Sequence, residues 1–306
     1  MEISVIIPVY NEEDNIYKLH ERLKSVLDQL GVKYEMIFVN DGSKDNSMPM
    51  IRALSKQHPE VCYIDLSRNF GHQVAVTAGL DKSNGKAVVI IDADLQDPPE
   101  LIIEMYKKMK EGFEVVYAKR KQRKGESLFK LWTAKVFYRL LSKITAISIP
   151  VDTGDFRIMD RKIVEILKEM PEKNKYLRGQ ISWIGFNQTF VEYERQERLA
   201  GETGYTFHKM LRFALDGITG FSDLPLKIVT YFGFIVSFFA FLMMLYALYA
   251  RFIIQDYEPG WASLMVVILF IGGVQMIAVG IMGEYLSRMN NNIRNRPLYI
   301  IRDTNL

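Results

Sequence analysis

The chain has 306 residues, a formal net charge of +3 and one cysteine. That length holds one large or two ordinary domains, and the charge is too mild to imply nucleic acid as a partner. The lone Cys62 excludes an intrachain disulfide framework and fits a reducing compartment.

Apolar, β-branched strands alternate with helical patterns from the first residues onward. Ile3 to Val9 reads as a strand leading to Asn11-Glu12-Glu13-Asp14. An amphipathic stretch through Leu19, Leu23, Val26, Leu27 and Leu30 follows. Glu35 to Val39 ends in Asn40-Asp41-Gly42-Ser43, where Asp45 or Ser47 can cap the next helix. Val61 to Leu66, with Cys62 as core filler, ends in Ser67-Arg68-Asn69-Phe70-Gly71-His72. A fourth strand, Ala87 to Ile91, ends in Asp92-Ala93-Asp94-Leu95-Gln96-Asp97-Pro98-Pro99. This βαβα order predicts an α/β fold: a mostly parallel, Rossmann-like sheet with helices on both faces. The first four strand ends then share one edge, where ligands bind in open α/β sheets.

The carboxylate turn has two readings. Asp92, Asp94 and the amide oxygen of Gln96 suit a hard cation such as Mg²⁺ held beside substrate phosphates. Alternatively the turn is a polar entry to the next helix, with Asp97 as its cap. Neither a G-x-G-x-x-G fingerprint nor a Walker motif is present, so a nucleotide would be held through carboxylates and a metal. Past strand Val115-Val116-Tyr117 lies the basic run Lys119-Arg120-Lys121-Gln122-Arg123-Lys124.

The chain changes character near residue 225. Ile228 to Ala250 and Ala262 to Gly283 carry no charge, and each is long enough to cross about 30 Å of hydrocarbon as a helix. Gly272, Gly273, Gly280 and Gly283 allow close helix packing and leave a homo-oligomer open. Lys227, Arg288, Arg294, Arg296 and Arg302 flank the pair, whereas the connecting loop holds Arg251, Asp256 and Glu258. Positive-inside logic puts both termini and the N-terminal domain in the cytoplasm, and no signal peptide precedes the first strand. Phe129, Trp132, Val136, Phe137, Leu140 and Leu141 form one helical stripe. Phe207, Met210, Leu211, Ala214, Leu215, Ile218 and Phe221 form another. Both have basic residues off the stripe, as helices lying in a membrane interface do, with packing of each stripe on the domain core as the alternative.

The ordered set Pro8-Val9-Tyr10-Asn11-Glu12, Asn40-Asp41-Gly42-Ser43, Arg68-Asn69-Phe70-Gly71, Asp92 to Pro99 and Gly154-Asp155-Phe156-Arg157 resembles glycosyltransferase family 2. Within that family the chain is most similar to the polyprenyl-phosphate transferases of the dolichol-phosphate mannose synthase type, on their bacterial bactoprenol glucosyltransferase branch. The resemblance implies a GT-A fold at 1–205, a juxtamembrane helix at 206–226, two spans at 227–286 and a cytoplasmic tail at 287–306. It implies inverting transfer of a hexose from a nucleotide-diphosphate sugar, UDP-glucose first, to a polyprenyl phosphate at the inner membrane. GDP-mannose, UDP-N-acetylglucosamine and a modified pentose stay open as donors.

Residue by residue, the resemblance implies Pro8, Tyr10, Glu12, Asp41, Arg68 and Asp92 around the nucleotide. It places Asp92, Asp94 and Gln96 on Mg²⁺ or Mn²⁺, Arg120, Arg123, Lys124 and Ser127 on an activation loop, and Arg198 on acceptor phosphate. Asp155 takes the position of the catalytic base, with Arg157 beside it and Asp94 on the diphosphate. A phosphate monoester with a second pKa near ~6 hardly needs a base, so orienting a cation is an alternative role for Asp155. Relatives place a lysine where this chain has Gly204, with Lys209 or His208 as substitutes. A processive polysaccharide synthase would carry Q-x-x-R-W, which is absent. A membrane-anchored scaffold that binds nucleotide sugars without turnover is the non-enzymatic alternative.

Overall fold

The structure is a computed structural model that describes residues 1–121, 153–194, 224–249, 260–294 and 296–306. It divides into two units, the first holding the described residues of 1–194 with 296–306, the second those of 224–294.

In the first unit β1 (Ile3–Val9), α1 (Ile16–Leu30), β2 (Tyr34–Asn40), α2 (Ser47–Gln57), β3 (Val61–Leu66), α3 (His72–Lys82), β4 (Ala87–Ile90), α4 (Leu101–Lys110) and β5 (Val115–Arg120) follow in order. Then come β6 (Thr153–Asp160), α5 (Arg161–Glu169), α6 (Leu177–Ile184) and β7 (Gln188–Tyr193). With β8 (Ile301–Thr304) the strands form one sheet in the order β7-β5-β6-β4-β1-β2-β3-β8. The four strands expected to be parallel are parallel and adjacent, so their carboxyl ends share one edge. β6 joins β4 and β5 antiparallel, and β8 joins β3 antiparallel, which makes the whole sheet mixed. This is the α/β arrangement expected of a GT-A fold.

The period-two pattern of each strand explains the layers. Ile3, Val5, Ile7 and Val9 of β1 pack into a core with α1, α2 and α4. Ile6 points the other way, into a core with α3, α5 and α6. Gly31, at φ +63°, closes α1 in the left-handed conformation that glycine reaches without steric cost. Burial pushes the Cys62 thiol up to about 11, in keeping with an inert filler.

The C terminus departs from the sequence expectation of a tail. Ile301–Thr304 pairs with the free side of β3, Arg52 Nη2 lies 2.8 Å from Asp303 Oδ2, and Tyr299 donates 2.8 Å to Asp81. Four residues with charges at Arg302 and Asp303 carry too little alternation to read as a strand. The exposed hydrogen-bonding row of β3 supplies the template.

In the second unit, α7 (Leu224–Tyr249) and α8 (Trp261–Ile293) are both long and apolar enough to cross a membrane. Phe234, Phe238, Met276 and Ile277 are exposed on them, and a helix apolar all round calls for protein or lipid around it. α8 runs about 15 Å past the expected end at Gly283, through polar residues to Ile293.

Gly79 sets the approach of α3 to the sheet: a Cβ there would lie 2.4 Å from Ile6 Cγ2 and 3.2 Å from Val39 Cγ2. Both neighbours are branched, fully buried strand residues that cannot swing aside. Gly79→Ala is therefore expected to cost about 1–3 kcal/mol, read as a lowered thermal unfolding midpoint. An unchanged midpoint would show that α3 is free to lift.

Candidate active site

The loops at the carboxyl edge hold one another in place. Asn11, at φ +56°, donates its N–H to Ser43 Oγ at 3.0 Å and accepts from Lys44 N–H at 2.8 Å. Glu12 and Glu13 donate their N–H groups to Ser47 Oγ and Asp45 Oδ2. Asp45 Oδ1 also accepts from Ser47 N–H at 3.0 Å, so Asp45 is the residue serving the start of α2. Ser47 is spent on the neighbouring loop.

Asp41 ties the second loop to the third. Its two oxygens accept from the N–H groups of Phe70 at 2.7 Å and Gly71 at 3.0 Å. Burial raises its carboxyl above the ordinary range, and these two donors oppose that. Gly42 lies against the same loop, where a Cβ would meet Arg68 C and Asn69 N at 2.6 Å, and its φ is +69°. Of the other residues expected around a nucleotide, Pro8 is buried in β1 and Tyr10 is exposed. Glu12 accepts from Asn15 Nδ2 at 2.7 Å. Arg68 is exposed and stacks 4.0 Å over the Phe70 ring.

The fourth loop turns sharply. Leu95 has φ +58°, a left-handed conformation that costs a branched residue about 1–3 kcal/mol, and its side chain is buried in the core beneath. Asp92, Asp94 and Gln96 alternate with buried Ala93, Leu95 and Asp97. Burial pushes the Asp92 carboxyl up to about 6, with Asp155, Asp97 and Asp94 adding to the rise and His72 opposing it. Asp92 Oδ1 is buried without a hydrogen bond, and His72 Nε2 faces it at 3.6 Å. Crowded carboxylates, one with an oxygen that accepts no hydrogen bond, form a donor set that a divalent cation would complete.

Asp97 does not cap the helix. α4 starts at Leu101, and its cap residue Glu100 makes no side-chain cap bond. Asp97 is instead 1% exposed and accepts from the Tyr193 hydroxyl, which in turn accepts from Arg120 Nε at 3.2 Å. The cap expectation failed because Tyr193 arrives from β7, far along the chain. Arg120, expected on an activation loop, ends β5 in contact with this group. A Cβ on Gly154 would lie 3.2 Å from Arg120 Nη2.

Asp155 occupies the centre, 7% exposed. Its Oδ2 accepts from Gln73 Nε2 at 3.0 Å and meets His72 Nε2 at 3.1 Å, while Oδ1 accepts from Arg178 Nε at 2.8 Å. His72 and Gln73 open α3 and Arg178 opens α6, so two helix starts also aim their positive ends here. Burial works against the charge, but Arg178, His72 and Arg157 hold the carboxyl well below its usual range. His72 bridges onward to Asp92 at 3.6 Å. Arg157 is buried and donates to the carbonyls of Asp155 and Gly154, and burial pulls it down to about 10. His72, Gln73, Arg178 and Tyr193 were not singled out from sequence. His72 alone carried a signal, as the last residue of a strand-end loop. Arg123, Lys124, Ser127, Arg198, Gly204 and both amphipathic stripes lie outside the described residues.

Residues 4–167 match the family described as Glycosyl transferase family 2. Over 302 residues the chain is 53% identical to the Bacillus subtilis glycosyltransferase YkcC, covering 99% of this chain and 94% of that one. It is 41% identical over 302 residues to the prophage bactoprenol glucosyl transferase homologue of Escherichia coli K12, covering 99% of each. It is 40% identical over 302 residues to the bactoprenol glucosyl transferase of Shigella phage SfII, covering 99% of this chain and 98% of that one.

Burial disfavours a charged His72, yet Asp92 and Asp155 outweigh it and lift the imidazole to about 9. With Asp155, which stays ionised, the stabilisation is complete below about 6.5 and is lost as the pH rises through about 9. In chelator-treated protein, the His72 ring resonances are expected to titrate above 6.5, and Asp155→Asn is expected to move that midpoint downward. A midpoint indifferent to Asp155→Asn would dissolve the pair.

Proposed function

The chain belongs to glycosyltransferase family 2, and from that membership we propose that it transfers glucose from UDP-glucose to a polyprenyl phosphate at the cytoplasmic face of a membrane. The observation that carries this reading is its 40–41% identity, over 99% of its length, to proteins named bactoprenol glucosyl transferases. The polar edge described above supports it, with a carboxylate turn on one side and a buried, cation-bound Asp155 on the other.

On this reading Tyr10, Glu12, Asp41 and Arg68, with Pro8 beneath them, frame the nucleotide. Asp92, Asp94 and Gln96 would hold Mg²⁺ or Mn²⁺, and Asp92 Oδ1, which accepts no hydrogen bond, fits that role. Such an ion neutralises charge on the departing diphosphate. The chain's own contribution is positional. Acceptor phosphate arrives largely dianionic and needs no proton removed. Asp155, ionised and held by three side chains from two helices, acts as a positioning group for Arg178 and His72. Those cations then face the phosphates in a site where their orientation is paid for on folding. Arg157, buried beneath, keeps the Gly154-Asp155 backbone in register. Arg120, Arg123, Lys124, Ser127 and Arg198 are assigned to the acceptor side.

The membrane arrangement has a topological support. Residues 296–306 share a unit with the N-terminal sheet through β8, which supports an even number of crossings between them. Two crossings by α7 and α8 would agree with this, with the N-terminal sheet and the C terminus on one side. The flanking basic residues favour the cytoplasm as that side.

Membranes carrying the protein are expected to convert labelled UDP-glucose and polyprenyl phosphate, with Mg²⁺ or Mn²⁺, into a chloroform-soluble sugar lipid. GDP-mannose and UDP-N-acetylglucosamine serve as comparison donors, and no product with any donor defeats the proposal. Asp94→Asn is expected to lower turnover at least ~100-fold while the protein stays folded. Because only the ionised carboxyl binds a metal, Mn²⁺ affinity should fall as the pH drops through about 6, where Asp92 protonates. Affinity flat across that range would remove Asp92 from the metal.

A further inference from the structure

On the α1 and α2 side of the sheet, away from the carboxylate turn, three metal-binding side chains meet. His20 lies on α1, His58 follows the last residue of α2, and Glu60 sits in the turn entering β3. One ligand atom of each lies within 4.8 Å of the others. The two imidazole rings are centred 4.4 Å apart, and His58 Nδ1 is 3.6 Å from Glu60 Oε1.

His20 is the second, independent observation. It is 3% exposed on the core-facing side of α1, where Ile16, Leu19, Leu23 and Leu27 are all apolar. Its Nε2 is buried with no hydrogen-bond partner. An imidazole nitrogen left unpaired inside a protein is costly, so a missing partner is the natural explanation. His20 and His58 both line an open cleft of about 520 Å³ between α1 and the end of α2, so an ion and its water can enter.

We propose that His20, His58 and Glu60 form a zinc site that ties α1 to the turn between α2 and β3. Two imidazoles and a carboxylate are a common zinc set, and three protein ligands leave the fourth tetrahedral position to water. Zinc with bonds of about 2.1 Å holds its donors about 3.4 Å apart, so the three side chains draw inward on binding. His58 and Glu60 are only half-buried and have room to turn. Lys24 Nζ is 3.1 Å from Glu60 Oε1 and 3.4 Å from Asp28 Oδ2. The ion takes its place at Glu60, and the ammonium stays with Asp28. The site is independent of sugar transfer.

The test uses the full chain without an affinity tag, in detergent, titrated with Co²⁺, whose tetrahedral complexes absorb strongly in visible light. One equivalent is expected to give that band, and one equivalent of Zn²⁺ to displace it. His58→Gln and Glu60→Gln are each expected to weaken Co²⁺ at least ~10-fold with an unchanged circular dichroism spectrum. His20→Gln should abolish the band. The Asp92→Asn/Asp94→Asn double variant, which removes the carboxylate turn as a competitor, should retain it. Absence of a tetrahedral band, a band undiminished in His58→Gln and Glu60→Gln, or one lost in the double variant overturns the proposal.

Discussion

The buried carboxylate of Asp155 is the interaction on which the candidate site depends. It sits on β6, and the groups that satisfy it come from the first residues of α3 and α6. A buried negative charge without partners would be prohibitive, so the folded state must bring those two helix starts to one place. Gln73 extends the tie, because its Oε1 accepts from Leu177 N–H at 3.2 Å. The same geometry leaves His72 shared between Asp155 and Asp92, coupling the centre of the site to the carboxylate turn. A single ionised group thus sets the positions of Arg178, His72 and Gln73 at once.

The loops on the far side follow a different rule. They carry few buried charges and are held by side chains accepting from backbone N–H groups of the next loop: Ser43 from Asn11, Ser47 from Glu12, Asp41 from Phe70 and Gly71. Glycine at position 42 permits the closest of these approaches. Strong residues of recognisable type are therefore spent on architecture as well as on ligand. Asp41 illustrates it: the residue proposed to frame the nucleotide also closes the β3–α3 loop. Asp97 illustrates it further, since the carboxylate expected to cap α4 belongs to a buried group with Tyr193 and Arg120.

Beyond the edge, β8 shows how the ends of the chain are bound into one sheet. Its pairing with β3 needs little from its own sequence, because β3 offers an unpaired backbone row and Arg52, Tyr63 and Asp81 offer side-chain partners. The His20 cluster is likewise a product of packing, as α1 and the end of α2 meet across the sheet face.

Periodicity and local composition were enough to reveal the four parallel strands, their common polar edge and the two long apolar helices, because each depends on residues near in sequence. Asp92, Asp94 and Gln96 were legible for the same reason, as a short loop of distinctive type, whereas Asp155 and Arg157 on β6 were marked only by the family resemblance. What the linear order could not disclose is who satisfies whom. Arg178 and Gln73 reach Asp155 from positions 23 and 82 residues away, and Tyr193 reaches Asp97 across 96. Nothing in the local pattern of an arginine, a glutamine or a tyrosine announces such a partner. Burial alone demands that a partner exist, and only the packing of α3, α6 and β7 around the sheet edge selects which one it is.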